Sequence, residues 1–175
     1  MRRIQTGLVL LSAAGMLGAV ALAETTVEVT KVHLCCPACV KTVGKALKEV
    51  EGVKGVCDQK AKTVTITAPD DATAQKAIDA LAAAGYHGEL ESTAVKFPHD
   101  SGATVGKVSN VTLTGIHNCC PACNKAIKAA VKKVSGVTGD TAKPKQQTFE
   151  VTGDFDETKL IHALHEAGFH AKIKK

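Results

Sequence analysis

Apolar and polar residues alternate with a period of two over residues 26–33, which is typical of a half-buried strand. Over residues 40–50 the apolar residues instead recur every three or four positions, which predicts an amphipathic helix. The same reasoning continues along the chain. It predicts that Gly52 ends this helix and that strands follow over 53–58 and 63–67. A second helix is predicted to begin at Pro69-Asp70-Asp71 and to stop at Gly85, and a last strand to start at Tyr86.

This pattern occurs twice in the chain. Gly85-Tyr86-His87 has its counterpart in Gly168-Phe169-His170, and the second copy runs over residues 107–174. The order strand, helix, strand, strand, helix, strand predicts an α+β fold of two tandem ferredoxin-like βαββαβ domains, each an antiparallel sheet with two helices on one face. We place the domains at residues 24–95 and 107–175. The stretch 96–106 contains Pro, Gly and Ser, which predicts a flexible linker.

The first 23 residues have the features of a secretory signal peptide. They combine a charged start, an apolar middle and the small-residue sequence Ala21-Leu22-Ala23. An uncleaved membrane anchor is the alternative, but Gly7, Gly15 and Gly18 weaken the apolar run. We therefore expect cleavage after Ala23 and a periplasmic or secreted protein.

Charge and aromatic content argue against a nucleic-acid partner. The formal net charge is +5, and loss of Arg2 and Arg3 with the signal peptide would lower it to about +3. The chain has no Trp, one Tyr and four Phe, so it has few side chains on which bases could stack. We expect no nucleic-acid binding.

The cysteines concentrate the chemistry of this chain. Six of the seven lie in two identical clusters, Cys35-Cys36-Pro37-Ala38-Cys39 and Cys119-Cys120-Pro121-Ala122-Cys123. Exported proteins usually carry structural disulfides, but a bridge within either cluster would close a very short loop and stabilise the fold little. The seventh, Cys57, lies outside the repeat, and we interpret it as a small strand residue in preference to a partner in an intermolecular disulfide.

The position of each cluster at a helix start favours thiolates. The proline is expected at the first helical position, directly after a cysteine that caps the helix. Unpaired N–H groups and the positive end of the helix dipole then stabilise negative sulfur. Such thiolates bind soft or borderline metal ions and not magnesium or calcium.

A strand, a Cys-x-x-Cys pair that opens a helix, this element order and a Gly-aromatic pair together resemble the heavy-metal-associated domain. That family includes copper chaperones, N-terminal domains of metal-exporting P-type ATPases and periplasmic mercury-binding proteins. The resemblance covers nearly all the chain after residue 23, twice. It implies a thiophilic ion, namely Cu(I), Hg(II), Zn(II) or Cd(II), and a membrane metal transporter or another metal-binding domain as the partner.

The resemblance also assigns residues, position by position. It implies an aromatic residue in the loop beside each site, at Tyr86 and Phe169. The metal-binding cysteines that it implies are Cys36, Cys39, Cys120 and Cys123.

The chain departs from the family pattern at two positions in each copy. Leu34 and Asn118 stand where the family usually has methionine. Cys35 and Cys119 stand where copper-type members usually have threonine, whereas zinc-, cadmium- and lead-type members can have an acidic residue or cysteine that joins the coordination sphere. A third sulfur would shift the preference from two-coordinate Cu(I) or Hg(II) towards Zn(II), Cd(II) or Pb(II), although three thiolates also hold Cu(I).

Two histidines are candidate accessory ligands. His33 and His117 each lie two residues before a cysteine, Cys35 or Cys119, on a predicted strand. Residues two apart on a strand share a face, so each imidazole could approach the metal. The alternative is a solvated histidine on the outer face of the sheet.

The remaining histidines have other predicted roles. His87 and His170 follow the loop aromatic in both copies and are candidates for contacts that support the ligands. His162 and His165 occur only in the second copy, and we interpret them as surface residues.

We therefore predict an exported protein, not an enzyme, that captures a thiophilic ion and passes it on by exchanging one sulfur ligand at a time. The alternative is a periplasmic thiol–disulfide oxidoreductase, since Cys-Pro-Ala-Cys at a helix start also suits a redox pair. A third hypothesis, disulfide staples in an interaction module, is disfavoured by the close cysteine spacing. Whether the two clusters act separately or hold one ion between them stays open at this stage.

Overall fold

The computed structural model describes residues 24–175, so the predicted signal peptide, residues 1–23, lies outside the described residues. Within that described range, no helix is long and apolar enough to cross a membrane. The first domain consists of β1 (Thr25–Thr30), α1 (Pro37–Lys48), β2 (Lys54–Asp58), β3 (Thr63–Ala68), α2 (Asp71–Ala83) and β4 (Glu89–Leu90). The second domain consists of β5 (Lys107–Thr114), α3 (Pro121–Lys132), β6 (Val137–Asp140), β7 (Phe149–Asp156), α4 (Glu157–Glu166) and β8 (Lys172–Ile173).

Each domain is built on one four-stranded antiparallel sheet. The strand orders across residues 24–175 are β2-β3-β1-β4 and β6-β7-β5-β8. In both sheets the first strand of the domain lies in the middle, between the third strand and the short fourth strand. This is the ferredoxin-like arrangement, and the predicted fold class is confirmed.

The core of each domain lies between the sheet and its helices because inward strand positions are apolar. In the first domain Val27 and Val29 of β1 and Val64 and Ile66 of β3 are at most 2% exposed. They lie under the helices, and Leu47 of α1 is buried with them. The alternation that predicted β1 is therefore the division between a core face and a solvent face.

Two strand predictions were wrong in their bounds. β1 ends at Thr30 because Lys31 adopts a left-handed φ of 57°, which no strand can continue. The last strand of the first domain begins at Glu89 and not at Tyr86. Tyr86 pairs instead with Phe169 of the second domain through an isolated β-bridge.

The end of the first helix also differs from the prediction. α1 ends at Lys48, four residues before Gly52. Two tight turns follow it, in which Val50 N–H donates to the Leu47 carbonyl and the Val53 N–H donates to the Val50 carbonyl. Gly52 provides the left-handed residue within these turns, with a φ of 78°.

The two domains dock through the loops that contain the Gly-aromatic pairs. The carbonyl of Gly85 accepts the N–H of His170 at 3.0 Å and that of His117 at 3.4 Å. In the reverse direction the carbonyl of Gly168 accepts the N–H of His87 at 3.1 Å. The corresponding loop of each copy therefore lies against the other domain.

The segment 96–106 makes fixed contacts with both domains, which differs from the flexible linker that its composition predicts. The Lys96 N–H donates to Gln75 of the first domain at 3.0 Å, and Phe97 is buried. Thr104 N–H donates to Glu157 of the second domain at 2.9 Å. The buried ring of Phe97 and the hydrogen-bonded backbone N–H groups hold this segment in place. Their burial and hydrogen bonds offset the conformational entropy that is lost when the segment becomes ordered.

Candidate metal centre

Both cysteine clusters lie at helix N-termini, as predicted. Pro37 is the first residue of α1 and Cys36 caps that helix; Pro121 and Cys120 have the same positions in α3. The capping cysteines have extended backbone with φ of −156° and −150°. The chain therefore turns sharply at each cluster and directs its sulfurs to the helix end.

Domain docking brings all six sulfurs of the two clusters into one group. Within each cluster the cap and the third cysteine have their Sγ atoms 3.6 Å apart. The Sγ contacts that cross between the domains are Cys35 to Cys123 at 3.4 Å, Cys35 to Cys120 at 3.5 Å, Cys39 to Cys119 at 3.8 Å, Cys39 to Cys123 at 3.8 Å and Cys36 to Cys119 at 3.9 Å. The six predicted sulfur ligands therefore form a single shared cluster and not two separate ones.

The sulfur cluster has a closed base and a more open side. Cys39 and Cys123 are fully buried, whereas the other four cysteines of the cluster are half-buried. Cys57 lies on β2, outside the cluster, and burial raises its pKa. The seventh cysteine is therefore a matched residue for control substitutions.

Burial and hydrogen bonds together set the protonation of the thiols. The pKa of Cys39 is lowered to about 2 because its thiolate accepts a hydrogen bond from the Cys123 thiol. The same hydrogen bond raises the pKa of Cys123. Burial raises the pKa of Cys35, and it raises the pKa of Cys119 to about 12. Burial also opposes ionisation of Cys120, but hydrogen bonds from the Cys123 N–H and the Cys35 thiol outweigh it and lower the Cys120 pKa to about 7. Metal binding would therefore displace protons from several of these sulfurs.

Two histidines lie beside the sulfurs, and each packs against an aromatic ring of the opposite domain. The ring centroids of His33 and Phe169 are 4.4 Å apart, and those of His117 and Tyr86 are 4.3 Å apart. The argument that put these histidines on a strand was wrong, because β1 and β5 end three residues before them. Their ring nitrogens nevertheless reach the sulfurs: His117 lies within 4.8 Å of Cys39, Cys119 and Cys123, and His33 within 4.8 Å of Cys35 and Cys123.

The tyrosine in the first copy and the phenylalanine in the second make the two histidines unequal. The Tyr86 hydroxyl donates to the Cys39 carbonyl at 3.2 Å and lies 2.8 Å from Nε2 of His117. This contact gives the His117 ring a hydrogen-bond partner across the domain boundary. Phe169 has no hydroxyl, and Nε2 of His33 is buried without a hydrogen-bond partner in the described range. Burial lowers the pKa of His33, so its imidazole is neutral at pH 7.

The two positions where the family usually has methionine are both buried. Leu34 is 2% exposed and belongs to the core. Asn118 is equally buried, and its amide donates to the Lys143 carbonyl at 2.8 Å and to Asn124 at 3.1 Å. In the second copy hydrogen bonds therefore replace the apolar contacts that hold the loop in the first copy.

His87 and His170 do not lie with the sulfurs, contrary to the supporting role that the sequence predicted for them. They form a separate cluster with His165, within which the three ring nitrogens lie within 4.8 Å of one another. The interpretation of His165 as a surface residue was wrong, although His162 is exposed as expected. The sequence did indicate that His165 faces inward, because it lies four positions after the buried Ile161 and so on the same face of the helix.

Burial of this histidine cluster predicts a loss of stability at acidic pH. It lowers the pKa of His87 to about 3 and that of His165 to about 4, below the 6.5 of an unfolded chain. Between these values the unfolded chain binds more protons, so stability that is present above pH 6.5 is lost as the pH falls. After allowance for solvent screening of these half-buried rings, we expect about 2–3 kcal/mol less stability at pH 5 than at pH 7, measured by urea unfolding.

Two variants make this pH experiment specific. His87→Asn should remove about half of the pH dependence, because His165 still contributes, whereas His162→Asn should retain it because His162 is exposed. Equal unfolding midpoints at both pH values in the unsubstituted chain would contradict the prediction.

The fold and this cysteine cluster agree with the comparison to known families. The model of the heavy-metal-associated domain matches residues 24–87 and 115–170, which together make up more than half of the chain. The chain therefore belongs to the heavy-metal-associated domain family. No curated protein matches it.

Three solved structures illustrate the similarity. A copper binding domain from HMA7, a P-type ATPase, is 24% identical, covers 39% of this chain and 96% of its own, and has a TM-score of 0.36. Oxidized MerP from Ralstonia metallidurans CH34 is 30% identical, covers 38% of this chain and 96% of its own, and has a TM-score of 0.32. The N-terminal soluble domains of Bacillus subtilis CopA are 20% identical, cover 87% of this chain and 95% of their own, and have a TM-score of 0.31.

Proposed function

We propose that this chain captures one thiophilic heavy-metal ion, or one compact cluster of such ions, in a centre that both cysteine motifs share, and that it passes the metal on by ligand exchange. The observation that carries the proposal is the convergence of six sulfurs from two domains, with contacts of 3.4–3.9 Å across the boundary. Membership of the heavy-metal-associated domain family supports the same chemistry. The proposed role is that of a binding and transfer protein and not of an enzyme.

The close sulfur contacts allow three or four sulfurs to bind one ion. Two sulfurs that each lie about 2.3 Å from one ion are about 3.8 Å apart in a tetrahedral site, about 4.0 Å apart in a trigonal site and about 4.6 Å apart in a linear site. Contacts of 3.4–3.9 Å therefore suit Zn(II), Cd(II) or a Cu(I) thiolate cluster, in which three or four sulfurs share an ion. Cys35 and Cys119 take part in this proposal as ligands, because each touches sulfurs of the opposite motif.

Transfer follows from the difference between the closed base and the open side of the sulfur cluster. The half-buried thiols would receive the ion first and release it last, while the buried Cys39 and Cys123 hold it between these steps. Exposed lysines on α1, such as Lys41, Lys45 and Lys48, offer a basic surface on the helix that carries the first motif, for an acidic transporter or metal-binding domain. We place this exchange outside the cytoplasm, in line with the expected signal peptide.

Metal competition on the reduced chain, residues 24–175, tests the proposal. Cu(I), Zn(II), Cd(II) and Hg(II) are titrated against chelators of known affinity, and X-ray absorption counts the sulfurs around each bound ion. We expect one centre per chain and at least three sulfurs per ion. Weak binding, together with a disulfide that cycles readily within each motif, would overturn the proposal and favour the thiol–disulfide oxidoreductase.

A further inference from the structure

A second group of potential ligands lies apart from the sulfurs. His87 belongs to the first domain, directly after the docking loop, whereas His165 and His170 belong to the second. The rings of His87 and His165 stack with centroids 3.8 Å apart, and those of His165 and His170 lie 5.5 Å apart. The cluster is therefore built by both domains and exists only while they are docked.

The hydrogen bonds leave lone pairs free in this cluster. Nε2 of His170 lies 2.9 Å from the Asp100 carboxylate, which accepts a hydrogen bond from Nε2–H, so Nδ1 carries the lone pair. That Nδ1 and Nε2 of His165 are both buried and have no hydrogen-bond partner among residues 24–175. A carboxylate behind an imidazole is the usual partner of a metal-bound histidine, since it fixes the tautomer and raises the basicity of the ligand.

The state and the surroundings of the rings also suit a ligand. Burial lowers the pKa of His87, His165 and His170, so all three are neutral at pH 7, the form that binds metal. A cavity of about 380 Å³, lined in part by Pro98, the exposed His99 and His165, lies beside the cluster. An ion could therefore approach the cluster from the side of His165.

We propose that His87, His165 and His170 form a second metal site, distinct from the sulfur centre, that binds a borderline divalent cation such as Zn²⁺, Co²⁺ or Ni²⁺. Imidazole nitrogens suit these ions and not calcium or magnesium. Ligation requires the stacked rings of His87 and His165 to turn about their Cβ–Cγ bonds, so that their lone pairs converge on one ion. Three protein ligands leave an open position for water.

This site would lock the two domains together. One ligand comes from the first domain and two come from the second, so an ion bound there stabilises the docked arrangement that also brings the six sulfurs together. The inference does not rest on the proposed function, because none of its ligands belongs to the sulfur centre.

Anaerobic titration of the reduced chain, residues 24–175, with Co²⁺ tests the inference. Cobalt bound by thiolates gives an intense near-ultraviolet charge-transfer band, whereas cobalt bound by imidazole gives only weak visible bands, so the two sites are read separately. We expect a nitrogen-only component that His165→Asn weakens at least 100-fold while the thiolate band is retained. His162→Asn is the matched control on the same helix and should change neither component, since His162 is exposed and paired only with Glu166 at 3.7 Å.

A second variant keeps the test independent of folding. Asp100 is exposed, so Asp100→Asn should fold normally and lower the affinity of the nitrogen-only component by about 10- to 100-fold. A titration in which every cobalt ion shows the thiolate band, or in which His165→Asn and His162→Asn bind alike, would overturn the inference. Loss of the thiolate band alone would count against the sulfur centre and leave the histidine site standing.

Discussion

Replacement of all three cysteines in one motif is expected to weaken metal binding by the other motif at least 100-fold. The variant carries Cys119→Ser, Cys120→Ser and Cys123→Ser. In the shared cluster the remaining sulfurs lose the contacts of 3.4–3.9 Å that they make across the domain boundary. A four-ligand structural zinc site provides about 10–16 kcal/mol, or roughly 3 kcal/mol per ligand, so even one lost ligand costs about two orders of magnitude in affinity.

Stoichiometry separates this expectation from the model of two independent sites. If each motif bound its own ion, the triple variant would bind half as much metal with unchanged affinity. If the centre is shared, the affinity falls and the mirrored variant in Cys35, Cys36 and Cys39 behaves in the same way. Cys57→Ser is the control, because that cysteine lies on β2 outside the cluster. Competition with a chelator, with circular dichroism to verify folding, measures the difference.

Most of the fold could be predicted because its signals are local. The alternation around Val27 and Val29 and the helical period of α1 report which face of each element is buried. The proline after each capping cysteine marked both helix starts correctly. The predicted strand bounds were wrong where one residue leaves the extended conformation, as Lys31 does. Nothing in the identity of a lysine indicates a left-handed backbone.

The shared centre could not be predicted because it depends on how the domains dock. The sequence shows two cysteine motifs and two Gly-aromatic pairs, but it does not show that each pair contacts the other copy. That arrangement depends on long-range contacts, such as those of His33 with Phe169 and of His117 with Tyr86. The same holds for the histidine cluster, because His87 meets His165 only across the domain boundary.

Substitution of Gly85 by alanine is expected to separate the domains and to divide the sulfur cluster. Gly85 has a φ of 84°, and a Cβ there would overlap the backbone nitrogen of His117 and lie 2.5 Å from the carbonyl oxygen of Gly115. Backbone atoms of a packed strand end cannot shift as a flexible side chain can. The second domain must therefore move away, and the sulfurs of the two motifs lose their mutual contacts.

Two measurements report this separation. Small-angle scattering should show a larger radius of gyration for Gly85→Ala. Metal affinity should fall about 100-fold, because the second motif no longer acts at the high effective concentration that docking provides. Gly168→Ala should have the same effect from the other side, since its Cβ would lie 2.5 Å from the backbone nitrogen of His33.

Gly52→Ala is the control that isolates docking from backbone strain. Gly52 has a φ of 78°, close to that of Gly85, so substitution by alanine causes a similar backbone strain at both positions. Its Cβ would meet Pro69, which belongs to the same domain. If Gly52→Ala and Gly85→Ala lowered metal affinity equally, the loss would reflect a weakened first domain. An effect confined to Gly85→Ala and Gly168→Ala would mean that metal affinity depends on the close approach of the two domains at these glycines.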